Sequence, residues 1–226
     1  MVDKKIIMLS NTTPNNAESA FQIIRSAILN GELSPGSKIS ENNTCQRYGI
    51  GRGPLREALR QLEGCKLVEI KPNAGAKVSY IKPAQIIEIY EIRESLEGLA
   101  CKLAATNATT SDCLALRSII AKQRLRMTQN NGDLAPLKKG DLDLHSSIVK
   151  VSGNAQLFQL LCHDLYQLLQ LYRLQPNTSP SRPHIALTEH TQIVDAIEKK
   201  DSELADLLMR RHISNARHEL LANLSP

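Results

Sequence analysis

The sequence is poor in aromatic residues, with no tryptophan, two phenylalanines and five tyrosines among 226 residues. Proteins that bind RNA or single-stranded DNA stack the bases on aromatic side chains, so this scarcity argues against both classes. The five cysteines are scattered and contain no CxxC pair. An odd, unpatterned set of cysteines is typical of free thiols in a reducing compartment, and we expect a cytoplasmic protein.

Long apolar runs are also missing, and no stretch approaches the length that spans a membrane. Residues 1–15 are polar and lack the apolar core of a signal peptide. We therefore expect a flexible N-terminal tail over residues 1–15 and no membrane partner.

The positive charge is unevenly distributed along the chain. The net charge is +5, and residues 1–80 contribute +4 of it, from 11 Lys and Arg against 7 Asp and Glu. A basic excess in the first third is consistent with binding to a polyanion such as double-stranded DNA, because basic side chains release the counterions of the phosphates.

Residues 51–64 form the most informative segment, an amphipathic helix with an arginine face. Pro54 suits the first turn of a helix and Gly64 suits its end. Leucines and arginines each recur at helical spacing on separate faces. The two faces consist of Leu55, Leu59 and Leu62, and of Arg52, Arg56 and Arg60. Such a helix can enter the major groove of DNA, although taken alone it is more often a solvated surface helix.

The flanking segments favour the DNA-binding interpretation. Amphipathic helices are predicted over residues 20–29 and from Ser40, as N-cap, to residue 48, and glycines then make a tight turn. Downstream, the patterns of residues 67–70 and 76–80 predict two strands joined by a turn. The order of elements predicts a winged helix-turn-helix domain over residues 16–80 with a two-stranded wing.

Residues 27–41 and 52–63, followed by Leu67 and Val68, resemble the DNA-binding domain of GntR-family bacterial transcription regulators. The resemblance implies that Arg52 and Arg56 contact the operator directly and that the wing around Gly75 lies near the minor groove. The full set of expected DNA-binding residues is Asn42, Gly51, Arg52, Gly53, Pro54, Arg56, Gly75 and Lys77.

From residue 83 onward the pattern is helical throughout. Six helices are predicted, at about residues 83–106, 110–128, 133–151, 154–174, 182–199 and 201–223. Their short connections predict an antiparallel bundle over residues 83–222. The fold class is therefore mainly α, with a winged helix-turn-helix domain followed by an all-α antiparallel bundle.

Four residues of the bundle could bind a metal. Asp141 and His145 are four residues apart and share a helix face, while His190 and His212 lie on two later helices. Three histidines and a carboxylate suit a divalent ion such as Zn, Ni or Mn. Spacing alone cannot bring three helices together, so each histidine could equally be a hydrogen-bonded core residue.

Residues 91–97, 141–145, 189–197 and 211–213 resemble the effector domain of FadR-type regulators, called FCD, and six helices resemble its VanR-type group. The resemblance implies that Asp141, His145, His190 and His212 bind a divalent metal beside a pocket for a small carboxylate. It makes Arg93 and Glu97 pocket candidates, although on sequence grounds they read as a surface ion pair. Arg173 is a further candidate that could instead complement a helix C-terminus.

These observations lead to one principal hypothesis and two alternatives. The principal hypothesis is a homodimeric regulator, a repressor, whose binding to operator DNA is controlled by a small carboxylate bound next to the metal. The alternatives are a metal-dependent enzyme on the helical bundle and a pure metal sensor in which the ion itself is the signal.

Overall fold

The computed structural model of the protein describes residues 16–129, 135–174 and 183–224. The chain divides into two compact units between Tyr80 and Ile81, and each unit is described by itself. The expected N-terminal tail, residues 1–15, lies outside the described residues.

The first unit is a winged helix-turn-helix. Its elements are α1 (Ala17–Leu29), β1 (Lys38–Ile39), α2 (Glu41–Tyr48), α3 (Arg52–Gly64), β2 (Val68–Lys71) and β3 (Gly75–Val78). The Asn16 side chain caps α1 by accepting from the Ser19 N–H at 2.7 Å. Ser40 occupies the N-cap position of α2, but its side chain makes no capping hydrogen bond.

The turn between α2 and α3 depends on Gly49. Its φ of 65° lies in the left-handed region that glycine adopts without a steric penalty. The following helix α3 then buries its apolar face completely, since Leu55, Leu59 and Leu62 are each at most 3% exposed. These leucines pack α3 against α1 and leave its arginine face in solvent.

The two strands predicted for the wing pair as β2 and β3, and the structure adds a third strand, β1, to their sheet. β2 and β3 pair antiparallel, with Val68 opposite Val78, and the short β1 pairs with the other edge of β3. β1 is only two residues long, so it is too short for alternating hydrophobicity to reveal it.

The second unit is an all-α bundle. Its elements are α4 (Pro83–Asn107), α5 (Thr110–Gln129), α6 (Ala135–Val151), α7 (Ala155–Phe158), a π-helical segment (Gln159–Leu165), α8 (Tyr166–Arg173), α9 (Pro183–Glu198) and α10 (Ser202–Leu224). α7, the π-helical segment and α8 follow one another directly. Counted as one, they give six helical runs among the described residues, as predicted.

Capping residues set the beginnings of these helices. The Asn154 side chain accepts from the N–H groups of residues 156 and 157, and the Asp201 carboxylate accepts from the Leu204 N–H at 3.0 Å. The α5 cap is Thr109, whose hydroxyl accepts from the Asp112 N–H. The predicted beginning of this helix at about residue 110 is confirmed.

The long helix α4 lies at the centre of the bundle and packs against α6, α9 and α10. At Gly98 the packing is close, since a Cβ there would lie 2.2 Å from Asp206 Oδ1 and 2.8 Å from the Arg210 side chain. α4 therefore presents its buried residues to several helices at once. Among the described residues, no helix is long and apolar enough to cross a membrane.

Candidate functional sites: an arginine-bearing helix and a buried histidine centre

The exposed face of α3 carries the arginines that the sequence singled out. The Arg56 side chain is 62% exposed and that of Arg60 is 70% exposed, and Arg52 is exposed as well. The opposite face of α3 is buried against the rest of the first unit, so the arginines are carried by a rigid helix and directed outward. This is the arrangement that a major-groove reading helix requires.

Two of these arginines form hydrogen bonds with residues of the preceding helix, α2. Arg52 donates from Nη2 to the Asn42 Oδ1 at 3.1 Å. Arg56 donates from Nε to both carboxylate oxygens of Glu41, each at 3.1 Å. The sequence did not predict this contact, because a spacing of 15 residues between Glu41 and Arg56 carries no helical signal.

The other expected DNA-binding residues surround this face or lie in the wing. Gly51 and Gly53 are exposed beside Arg52, and Pro54 is half-buried in the first turn of α3. In the wing, Gly75 is exposed with a φ of 80°, and Lys77 forms an ion pair with Glu69 at 3.1 Å.

In the bundle, the structure brings together the three histidines that the sequence singled out. His145, His190 and His212 are all buried, and one ring nitrogen from each lies within 4.8 Å of the others. The ring centroids are 4.7 to 5.3 Å apart. The Asp141 side chain lies outside the described residues, so its place in this centre stays a prediction.

Each histidine has its Nδ1 beside an oxygen acceptor. His145 Nδ1 faces a Glu97 oxygen, His190 Nδ1 lies 3.2 Å from the oxygen of Gln123, and His212 Nδ1 lies 2.7 Å from Glu189. An acceptor at Nδ1 favours the tautomer with the proton on Nδ1, which leaves the lone pair on Nε2. Metal-binding histidines are commonly oriented in this way.

The Nε2 atoms of His190 and His212 lie 3.3 Å apart. At this distance the two nitrogens either share a proton in a hydrogen bond or bind a common cation. Zn–N bonds of about 2.0–2.1 Å in tetrahedral geometry place two ligand nitrogens about 3.3–3.4 Å apart. His190 and His212 therefore fit a divalent ion in donor type and in spacing, and His145 brings a third ring nitrogen within 4.8 Å of theirs.

A buried ion pair on α4, between Arg93 and Glu97, adjoins the histidine centre. Glu97 accepts from Arg93 Nε at 2.6 Å with one oxygen and faces His145 with the other. The Arg93 guanidinium lies 4.9 Å from the ring centroid of Tyr90 and 5.6 Å from that of Tyr166. The sequence-based interpretation of Arg93 and Glu97 as a surface pair is wrong, since both are 1% exposed.

The electrostatics of this pair are set by two opposing effects. Burial raises the pKa of Glu97, but the Arg93 charge, helped by His145, prevails and holds that pKa at about 2. Burial lowers the pKa of Arg93, and Glu97 more than compensates and raises it. Both groups are therefore ionised at neutral pH. Burial and the Glu97 charge raise the pKa of Tyr166, so its hydroxyl keeps its proton.

Four residues of this centre were not assigned from the sequence: Tyr90, Gln123, Tyr166 and Glu189. Glu189 directly precedes His190, but adjacent positions on a helix point in different directions. Its partner is His212, 23 residues away. Arg173 is half-buried at the last residue of α8, and none of the contacts above involves it.

The winged helix-turn-helix and the all-α bundle together define a DNA-binding transcription regulator. Comparison with known proteins gives the family. Residues 16–78 match the family model "Bacterial regulatory proteins, gntR family", and residues 88–215 match the "FCD domain". The chain belongs to the GntR family of bacterial transcription regulators and carries an FCD domain as its second part.

Curated relatives align with this chain over most of their length. The chain is 26% identical over 205 residues to the HTH-type transcriptional repressor RspR of Escherichia coli K12, covering 91% of this chain and 88% of that protein. It is 27% identical over 206 residues to the Probable D-xylose utilization operon transcriptional repressor of Paenarthrobacter nicotinovorans, with the same coverages. The chain is thus a regulator and not an enzyme, which excludes the metalloenzyme alternative.

Solved structures share the fold. E. coli McbR/YncC superposes with a TM-score of 0.77 at 21% identity, covering 92% of this chain and 98% of that one. A putative GntR transcriptional regulator from Rhodococcus sp. RHA1 superposes with a TM-score of 0.72 at 21% identity, covering 91% and 97%.

Proposed function

We propose that the protein is a cytoplasmic, homodimeric repressor of the FadR subfamily, VanR-type group, whose operator binding responds to a small carboxylate bound beside a divalent metal. The single observation that carries this proposal is the buried convergence of His145, His190 and His212 in the same chain as an arginine-faced α3. The repressor function is supported by the relatives named above. The VanR-type assignment is supported by the six helical runs.

The DNA-binding part of the proposal assigns base contacts to Arg52 and Arg56. Both side chains are presented by a rigid helix whose opposite face is buried. The remaining contacts are assigned to Asn42, Gly51, Gly53, Pro54, Gly75 and Lys77. In a homodimer, two α3 helices would enter successive major grooves of a palindromic site.

Alanine substitution tests these contacts. We expect Arg52→Ala and Arg56→Ala each to weaken operator binding by about 1–3 kcal/mol, the range for a bidentate base contact. The matched control is Arg60→Ala, which removes the same charge from the same helix. Mobility-shift titrations on specific and scrambled duplexes measure the effect. Wild-type affinity for the operator in both variants would refute the docking of α3.

The metal-binding part of the proposal assigns Asp141, His145, His190 and His212 as ligands of Zn, Ni or Mn. It is supported by the acceptors at all three Nδ1 atoms and by the 3.3 Å separation of two Nε2 atoms. When bound, the ion would supply a Lewis-acidic coordination position for a ligand oxygen. Isothermal titration of the chelator-treated protein tests this assignment, and His190→Ala should abolish tight binding.

The effector part of the proposal assigns the carboxylate to the vicinity of Arg93 and Glu97, with Arg173 as a further candidate. Arg93 is buried beside two tyrosine rings and its Nε already donates to Glu97, so we assign the ligand carboxylate to the two Nη atoms of its guanidinium. The Tyr166 hydroxyl is buried and keeps its proton close to Glu97, so we assign it as a second donor to a ligand oxygen.

A thermal-shift screen of small carboxylates, with and without chelator, tests the effector assignment. The pure metal sensor makes a different prediction. If metal alone releases DNA from the wild-type protein and no carboxylate has any effect, the sensor alternative is correct. If a carboxylate releases DNA from Asp141→Ala, the metal is not the essential signal.

A further inference from the structure

The contact between Glu41 and Arg56 joins the first residue of α2 to the exposed face of α3. Arg56 donates from Nε to both Glu41 oxygens at 3.1 Å, and its Nη2 lies 3.0 Å from Oε2. The carboxylate therefore lies along the side edge of the guanidinium, where Nε and Nη2 point in the same direction.

This geometry determines which donors of Arg56 remain. A guanidinium carries five N–H groups; the one on Nε donates to the carboxylate, and Nη2 lies beside the same carboxylate as the nearest charged atom of the ion pair. The two N–H groups of Nη1 and the one of Nη2 that points away from the carboxylate are left. The neighbouring pair at the end of the side chain is a set of two parallel donors, which is what the O6 and N7 atoms of guanine require.

We infer that Glu41 is a positioning residue that holds Arg56 for base recognition and so determines how well the protein discriminates its operator from other DNA. The inference rests on the proposed contact of Arg56 with a base. Without Glu41, the long Arg56 side chain would sample several rotamers, and many of them would place its donors on phosphates instead of on a base edge.

The Glu41 carboxylate also has an unfavourable effect on binding. It lies on the face that would approach the phosphates, so its negative charge weakens association with any duplex. The two effects have opposite signs and appear in different measurements. Removing the carboxylate should raise affinity for non-specific DNA while it lowers discrimination.

The chain offers a matched control on the same helix. Glu57 forms an ion pair with Arg60 at 2.9 Å, and both residues lie on α3. Glu57 is about as exposed as Glu41, at 44% against 39% of the side chain. Glu57→Gln therefore removes the same charge from the same unit but leaves the contact between α2 and Arg56 intact.

The experiment uses the full-length protein and duplexes that the wild type enriches from a random-sequence pool. Affinities for the enriched duplex and for a scrambled one are measured by fluorescence anisotropy. For Glu41→Gln we expect the ratio of the two affinities to fall about fivefold or more, within the range of one lost base contact. Binding to the scrambled duplex should become tighter. Glu57→Gln should tighten scrambled binding to a similar extent and leave the ratio within about twofold.

Selection with the variant gives a second readout, which a merely structural role would not change. Glu41→Gln should relax base preference at one position of each half-site, and Arg56→Ala should relax the same position. Relaxed preference at every position, or an unchanged ratio in Glu41→Gln, would overturn the inference.

A double-mutant comparison separates an action through Arg56 from a direct one. In the Arg56→Ala background, Glu41→Gln should cause no further loss of discrimination. An equal further loss would mean that Glu41 itself contacts a base, for example a cytosine amino group, and would overturn the positioning role. If Arg56→Ala alone leaves discrimination unchanged, the proposed base contact of Arg56 fails, and this result is distinguishable from a failure of Glu41 alone.

Discussion

Replacement of Glu189 by glutamine tests whether the buried histidines form a metal centre. Glu189 accepts from His212 Nδ1 at 2.7 Å and from Asn215 Nδ2 at 2.8 Å. The substitution keeps the volume and one acceptor oxygen but removes the negative charge. An amide has the equivalent role elsewhere in this centre, where Gln123 faces His190 Nδ1 at 3.2 Å.

The expected effect is a loss of metal affinity. A carboxylate at Nδ1 makes the imidazole a more basic ligand, and outer hydrogen-bond partners of this kind typically change affinity about 10–100-fold. A tenfold loss corresponds to about 1.4 kcal/mol. At a free zinc concentration of 100 times the wild-type Kd, binding stabilises the wild type by about 2.7 kcal/mol, and a tenfold weaker variant by about 1.4 kcal/mol. For a chain of this length the Tm increase should be about 5–11 °C in the wild type and about 3–6 °C in the variant.

The assay is a competition titration with a chromophoric zinc chelator, supported by thermal melts of the stripped and the zinc-loaded protein. Comparing each variant with its own stripped form removes any change in intrinsic stability. The control is Glu203→Gln, which removes a charge from an exposed ion pair with Lys102 in the same unit. An unchanged zinc affinity in Glu189→Gln, or an equal loss in Glu203→Gln, would refute the reasoning.

Three further predictions concern the bundle. Gly98→Ala should lower the free energy of unfolding by about 1–3 kcal/mol in denaturant titrations, because its Cβ would overlap Asp206 and Arg210; an unchanged midpoint would show that these side chains move aside without cost. Arg117→Met should destabilise the protein by no more than about 1 kcal/mol, since its ion pairs with two carboxylates of α9 are partly exposed; a larger loss in the same titrations would indicate a cooperative network. Burial and then the nearby carboxylate of α4 raise the pKa of the Cys162 thiol to about 11, so at pH 8 only about one thousandth of it is ionised. Mass-spectrometric mapping of iodoacetamide labelling should find Cys162 far slower than a free cysteine, and an equal rate would contradict the pKa.

The elements of the fold were largely predictable because they depend on local patterns. The leucine period of residues 51–64 predicted α3, and the helices predicted from about residues 154 and 201 begin at Ala155 and Ser202. The strand β1 escaped prediction because its pairing partner, β3, lies almost 40 residues further along the chain. Such pairing is decided by tertiary packing and not by a local signal.

The candidate sites show the same division between features that local patterns predict and features that tertiary packing decides. The sequence identified the three histidines and the arginines of α3 by residue type and spacing, helped by a family resemblance. It misjudged the Arg93–Glu97 pair, because a spacing of four residues describes an exposed and a buried pair equally well. Burial is decided by the helices that pack around α4.

By itself, the sequence determined the helical periods, the turns and the kinds of side chains available for chemistry, because these depend on neighbours within one or two helical turns. Only the tertiary structure decided that three histidines from separate helices converge, that each has an acceptor at Nδ1, and that Arg56 donates to Glu41. The physical reason is that these contacts join residues 15 to 67 positions apart, whose meeting depends on how whole helices pack.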